Sequence, residues 1–285
     1  MTRSRFVPSL AALLLPLAAC GSVSDGEPAA NDAGAADAAA ADVDAADPGV
    51  ADASAADASA ADAGQPLCPD GMEHVPGGTF TMLDRPGSNT VEPFCMDVTH
   101  VTAGEYASCP SCAPAGTAAM CNTDIEFRAD DPANCVDVSQ ADFYCTSLGK
   151  SLPSEAQWEW AARGGPAANL YPWGEEAPTD ADDPPRLCWF AGRDDVSFPD
   201  RPSGTCPVGF FDQASSHPFR LEDMSGNVWT WTTSEGATAT DRVVRGGGWD
   251  NTLANRMTTG FRNDGIPATT RHPALGFRCI APALE

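Results

Sequence analysis

Ten cysteines between positions 68 and 279 constrain this chain more than any other feature: Cys68, Cys95, Cys109, Cys112, Cys121, Cys135, Cys145, Cys188, Cys206 and Cys279. An even set of this density predicts a disulfide framework, five bonds if all pair, formed in an oxidising compartment. The same stretch is short of long regular elements. The chain carries 26 Gly and 25 Pro, and residues 164–228 read mostly as turns and loops. So many loops in a compact domain need something besides a core to fix them, such as cross-links or bound ions. A second reading stays open for Cys109, Cys112, Cys121 and Cys135, which could together ligate zinc.

The eleventh cysteine, Cys20, sits in a different context. Arg3 and Arg5 form a basic start, and residues 7–17 form an apolar run too short to span a bilayer. Leu17-Ala18-Ala19-Cys20 resembles the lipobox of bacterial lipoproteins. The expectation is a signal peptide over 1–19 and acylation of Cys20, which anchors a protein to a membrane without a spanning helix. An ordinary cleaved signal with an incidental cysteine is the alternative. Gly21, rather than Asp, after Cys20 favours the outer membrane by analogy with bacterial sorting rules. The chain is therefore expected to be a cell-envelope lipoprotein with its domain outside the cytoplasm.

After the anchor, Asp32, Asp37, Asp42, Asp47, Asp52, Asp57 and Asp62 recur every five residues in an alanine-rich background without Lys or Arg. A five-residue period makes no apolar helix stripe, so residues 20–67 read as a disordered, self-repelling tether. Such a coil would reach roughly 35–40 Å, and alanine-rich helix is the competing reading. Residues 68–285 hold thirty acids against fourteen Lys and Arg, a formal charge of −16. That balance excludes nucleic acid and anionic lipid as main partners for this domain.

Three short helices show start signals within the domain. Thr102-x-x-Glu105 and Ser154-x-x-Gln157 are capping boxes. Ser139 is the expected cap of the helix that ends at Gly149. Trp158, Ala161 and Ala162 fall on one helical stripe and are expected in the core. Strands are expected at "GTFTM", "RVVRG" and "GFRCI". His74, His100, His217 and His272 are scattered and read as surface or turn residues. Signatures of serine hydrolases, phosphate-binding loops and zinc peptidases are absent. "VVRGGGWDNTLANRM", residues 243–257, has three consecutive glycines. They permit close approach to a ligand or to another part of the chain. The loop lacks the strand-to-helix setting of a nucleotide fingerprint.

Eight segments, in order, carry a resemblance: "MEHVPGGTFTM", "EPFCMDVTHVTAGEY", "NCVDVSQADFYCTSLGKSLPSEAQWEWAARGG", "YPWGEE", "CPVGFF", "LEDMSGNVWTW", "VVRGGGWDN" and "LGFRC". Together they resemble the sulfatase-modifying-factor family, that is, formylglycine-generating-enzyme-like domains. The resemblance implies an irregular, loop-rich α+β single domain, distantly C-type-lectin-like. It implies a disulfide between Cys145 and Cys279; Cys188 and Cys206 bracket a loop and are a second expected pair, while the other six cysteines are left unassigned. In catalytic members, two cysteines five residues apart follow the glycine-rich loop, bind copper and convert a sulfatase cysteine to formylglycine. Thiolates suit Cu(I). Here those two positions carry Asn251 and Arg256, and Gly248 stands where serine is usual. The resemblance thus implies the fold without the copper chemistry.

It also implies a calcium loop at Asp223, Gly226 and Val228, with Thr230 in place of an acid. A second site would use Asp200 and the carbonyls near Cys188. Fixing a turn is the alternative role for Asp223 and Asn227. Function is read as a surface-anchored binding module whose former groove holds Trp229, Gly248, Trp249, Asn251 and Arg256, although each tryptophan taken singly reads first as core. The ligand class is open: a peptide, a glycan or another envelope protein. The alternative is a metal-dependent oxidoreductase acting on a protein cysteine or a small molecule, since some family members serve ergothioneine or siderophore-chromophore biosynthesis.

Overall fold

The computed structural model describes residues 68–123, 125–179, 186–189, 204–211, 216 and 218–284. Cys20, the tether, His217 and Asp200 lie outside the described residues. Among the described residues no helix is long and apolar enough to cross a membrane.

Strands β1 (Met72–Val75), β4 (Phe94–Asp97) and β9 (Ile280–Pro282) form an antiparallel sheet in the order β1-β4-β9. Phe94 lies opposite Val75 on one side and Pro282 on the other. Between β1 and β4, β2 (Gly78–Thr81) and β3 (Ser88–Val91) make a hairpin. The second sheet runs β7 (Arg262–Pro267), β6 (Asp241–Arg245), β5 (Trp229–Glu235), β8 (Leu275–Gly276), with β5 and β8 parallel. Helices α1 (Ala103–Ala107), α2 (Val138–Ser147) and α3 (Glu155–Ala162) connect β4 to β5. The whole is a mixed α+β, loop-rich domain.

All three helices start with a capping box. Each box satisfies backbone N–H groups that would otherwise lack partners, and such a cap contributes about 1 kcal/mol. The cap of α2 is Asp137, not Ser139. The Asp137 carboxylate accepts the Gln140 N–H at 3.0 Å, and Gln140 Oε1 accepts the Asp137 N–H at 3.1 Å. Aspartate supplies a better acceptor than the serine two residues on, so the helix starts earlier. The segment "GFRCI" is also not one strand. Gly276 ends β8 in one sheet and Ile280 begins β9 in the other, with the chain crossing between them at Phe277–Cys279.

The core has two parts. Trp158, Ala161 and Ala162 of α3 are fully buried with Phe94, Met96, Leu221 and Met224. A larger cluster gathers around Trp231 and Phe277, where Tyr106 and Tyr144 meet the Phe277 ring edge-on at 6.1 and 5.4 Å. Edge-to-face geometry is the favoured one for aromatic pairs. Between α3 and β6, Glu159 and Arg245 form a buried ion pair. Glu159 also accepts the Leu83 N–H at 2.8 Å, and Arg245 donates to the Thr259 carbonyl at 2.9 Å. Burial pushes the Glu159 carboxyl up, against the downward pull of Arg245. Removing Glu159 would leave the buried Arg245 without its carboxylate, at about 3–5 kcal/mol, whereas Glu159 keeps Arg163 Nη1 at 3.6 Å when Arg245 is removed.

Five disulfides hold the loops: Cys68–Cys95, Cys109–Cys112, Cys121–Cys135, Cys145–Cys279 and Cys188–Cys206. The zinc reading is overturned, because its four sulfurs are consumed in two of these bonds. Cys145–Cys279 spans 134 residues. In the chain-entropy account a loop of that length stabilises the fold by about 5 kcal/mol, against about 2 kcal/mol or less for the tightest bond.

Candidate functional site

The glycine loop leaves β6 at Arg245 and turns at once. Gly246 and Gly247 adopt φ of 95° and 77°, a region that favours glycine. A Cβ on Gly246 would lie 2.9 Å from the Met224 carbonyl oxygen and 3.0 Å from the Trp158 ring. On Gly247 it would lie 2.6 Å from Met257 Sδ, and on Gly248 2.9 Å from Trp229. What the loop approaches is therefore its own chain. Two backbone bonds hold it there: Gly226 N–H to the Gly246 carbonyl at 2.9 Å, and Trp249 N–H to the Asn227 carbonyl at 2.7 Å.

The five residues expected to line a groove divide unevenly around this loop. Trp229 and Trp249 are only 5 % and 9 % exposed and belong to the larger core cluster. Trp249 donates its indole N–H to the Pro273 carbonyl at 3.2 Å, and Trp229 packs 5.9 Å from the Phe261 ring. Gly248 is buried. Asn251 is 7 % exposed; its Oδ1 accepts the Gly248 N–H at 3.3 Å and its Nδ2 donates to Asp250 at 3.2 Å. Arg256 alone of the five is exposed, on a single 3₁₀ turn (Ala254–Met257), its guanidinium 6.0 Å from the Phe261 ring centre. Asn251 thus spends its amide on closing the loop, and Arg256 presents five donors to solvent.

Below the loop lies the segment resembling a calcium site. Asp223 is buried, and its Oδ2 accepts the Gly209 N–H at 2.8 Å and an Asn227 Nδ2–H at 3.5 Å. Burial raises its carboxyl from the ordinary value. Asn227 ties the turn to the Cys188–Cys206 bond: its Nδ2 donates to the Cys206 carbonyl at 3.1 Å, its Oδ1 accepts the Cys206 N–H at 3.2 Å, and its own N–H reaches the Cys188 carbonyl at 2.8 Å. Gly226 and Val228 follow within the same buried turn. Thr230 Oγ1 is bonded to His100 Nε2 at 2.9 Å. A hard cation takes six to eight oxygens, several of them anionic. Among the described residues Asp223 is the one carboxylate of the expected set, and no three His, Cys, Asp or Glu side chains converge. These residues do not complete a calcium site by themselves.

His100 corrects the surface reading of the histidines, because it is 1 % exposed. Arg278, also fully buried, approaches its Nδ1 at 3.5 Å and donates to the carbonyls of Asp97, Val98, Glu222 and Asp223 at 2.6–3.2 Å. Burial first, and then Arg278, hold His100 well below its usual range, so the ring is neutral. Burial likewise lowers Arg278, to about 10. No local pattern marks this centre, since His100 and Thr230 are 130 residues apart.

Four cavities touch α1, none with a local sequence signal, and two of them reach the Cys109–Cys112 bond. One, about 200 Å³, is lined by Tyr106, Cys109, Cys112, Pro114, Ala133 and Asn134 among others. A wider one of about 690 Å³ on the other side includes Cys109, Pro110 and Ser111.

Comparison with known proteins fits this geometry. Residues 58–283 match the sulfatase-modifying factor enzyme 1-like domain. The chain belongs to that family. It is 35 % identical over 184 residues to the inactive C-alpha-formylglycine-generating enzyme 2 of Bos taurus, covering 60 % of this chain and 55 % of that protein. It is 39 % identical over 120 residues to the formylglycine-generating enzyme of Mycobacterium tuberculosis, 40 % of this chain and 37 % of that one. The chain spans about half the length, or less, of these curated relatives. Among solved structures, PvdO from Pseudomonas aeruginosa superposes with a TM-score of 0.56 at 23 % identity, over 74 % of this chain and 94 % of that one. Treponema denticola variable protein 1 does so with 0.54 at 19 %, over the same shares. At these identities the two structures share the fold.

Proposed function

We propose that this chain is a recognition module on a sulfatase-modifying-factor scaffold, without formylglycine-generating activity, held to a membrane by lipid on Cys20. One observation carries the loss of activity. The two positions that bear the copper-binding cysteines in catalytic members hold Asn251 and Arg256, and every cysteine among the described residues is already in a disulfide. Thiolates bind Cu(I); an amide and a guanidinium do not. The bovine relative, named as an inactive formylglycine-generating enzyme, supports the same reading. Exposed loops on a cross-linked scaffold suit recognition. Arg256 beside Phe261 offers donors next to an aromatic face, a combination suited to a peptide or glycan.

The test is a thiol count coupled to an assay. The full chain is produced through an oxidising route, denatured, alkylated without reductant and weighed. A separate native, unalkylated sample is incubated with Cu(I), oxygen and a cysteine peptide. The expected outcome is ten unlabelled cysteines from 68 onward and an unchanged peptide. Two labelled thiols together with an oxidised peptide would establish the metal-dependent oxidoreductase instead. Cys20→Ala is expected to move the protein from the membrane fraction to the soluble one, and an unchanged fraction would defeat the anchor. Asp223 is taken as a turn former, so a chelator leaves the melting temperature unchanged; a fall would assign a calcium ion to Asp223, Gly226 and Val228.

A further inference from the structure

Cys109–Cys112 differs from the other four disulfides in burial. Each of those has at least one cysteine buried: Cys95, Cys121 and Cys135, Cys145 and Cys279, Cys188 and Cys206. Cys109 and Cys112 are both half-buried, and Pro110 and Ser111 between them are exposed. The bond closes the smallest loop, three residues apart. It therefore removes the least freedom from the unfolded chain, and opening it releases no distant part of the fold. Half the Cys109–Cys112 turn also faces prepared space. Both cysteines line the cavity of about 200 Å³, whose other walls are mostly apolar, including Ala103, Tyr106, Pro114 and Ala133.

From this placement we infer that Cys109–Cys112 is a thiol–disulfide exchange site whose substrate is a peptide cysteine flanked by an apolar residue. The apolar neighbour fills the cavity beside the bond. The substrate thiolate attacks Cys112 Sγ, a new S–S bond forms to Cys112, and the Cys109–Cys112 bond breaks. Cys109 departs with the electron pair as a thiolate and takes a proton from water. Ser111 Oγ, 4.0 Å from Cys109 Sγ, is placed to donate a hydrogen bond to that leaving sulfur. A second substrate thiolate attacks the substrate sulfur of the mixed disulfide and frees Cys112. The substrate pair is then oxidised to a disulfide and Cys109 and Cys112 are reduced. A small-molecule disulfide such as oxidised glutathione returns them to the starting state. This activity goes beyond the recognition reading and uses none of the residues of the glycine loop.

The experiment uses the full chain. Graded dithiothreitol, quenching with an alkylating agent and peptide mapping should label Cys109 and Cys112 at a reductant concentration about tenfold below that needed for any other cysteine. In Cys109→Ala, the remaining Cys112 thiolate should attack the peptide sulfur of a thionitrobenzoate-activated Leu-Cys-Leu peptide, forming the mixed disulfide and releasing thionitrobenzoate, about tenfold faster than with the matching activated Ser-Cys-Ser peptide. Ser111→Ala in the otherwise unchanged chain should slow reduction of the bond by the Leu-Cys-Leu peptide, while leaving the other four disulfides intact. Simultaneous labelling of all five bonds, or equal rates for the two peptides, would overturn the proposal. Failure here would leave the thiol count and the copper assay of the recognition reading untouched.

Discussion

Residues 246–251 and residues 108–115 are both irregular backbone leaving a short regular element, β6 in the first case and α1 in the second. Their surroundings are opposite. The first segment is pressed onto Met224, Trp158, Met257 and Trp229 so closely that no Cβ fits at three successive positions. The second stands beside two cavities and carries a half-buried disulfide. Glycine run and aromatic residue suggest a ligand-binding loop, yet here they serve internal packing. The plainer segment, alanine and proline around two cysteines, is the one left accessible. The comparison teaches that close backbone approach and open space for a partner are separate properties, and a glycine-rich sequence reports only the first.

The largest expected effect tests the packed side. Gly247→Ala combines a left-handed backbone with a contact to Met257, and is expected to cost about 2–4 kcal/mol. Denaturant unfolding measures this; a loss under about 1 kcal/mol would mean that the loop yields and is not packed as described. On the open side, replacing Cys109 and Cys112 together by serine should cost about 2 kcal/mol or less, because so short a loop was closed. A larger loss in the same titration would make that bond structural and erase the contrast.

His100 sharpens the comparison through pH. Burial holds its folded value well below the ordinary 6.5, so the unfolded chain binds a proton that the folded chain refuses. Stability is then complete above 6.5 and falls as pH drops below it, by up to about 1.4 kcal/mol per unit. Asp223 and Asp97 have the opposite sign: burial raises both, so their contribution grows as pH falls through their folded values. Unfolding between pH 7 and 5 should therefore show proton uptake that His100→Asn abolishes; an unchanged slope would remove His100 as its source. The smallest effect belongs to Arg256. Arg256→Ala should shift stability by no more than about 0.5 kcal/mol, being exposed, while weakening any ligand held at the Phe261 face. A large stability loss would return Arg256 to the packed side.

Local signals were readable and distant ones were not. Thr102 with Glu105 and Ser154 with Gln157 announced two helices, because a capping box is contained in four residues. Asp137 with Gln140 carried the same signature, but Ser139 stood nearer the apolar run and drew the assignment away from it. Four-residue strands such as β1 and β3 have too few positions to show alternation. "GFRCI" looked like one strand because Phe277 and Ile280 favour strands, and so short a run cannot show that the chain changes sheets in its midst. Of the candidate site, the substitutions at 251 and 256 were visible by resemblance. Core was the first reading of Trp229 and Trp249 taken singly, and both are buried; the His100–Thr230 bond and the partners of Cys68, Cys109 and Cys121 depend on long-range packing that no window of sequence contains.

The crossing at Phe277–Cys279 has a consequence in time as well as in space. β8 adds a strand to one sheet and β9 to the other, and Cys279 between them closes the longest covalent loop. A chain emerging residue by residue can form α1, α2, α3 and the β2–β3 hairpin early. The larger sheet stays one strand short until residue 276 is free, and the smaller until residue 282. Assembly of this domain is therefore timed by residues 275–282, and the wait exposes unpaired strand edges and a reactive Cys145 thiol to whatever chaperone or oxidant meets the chain first.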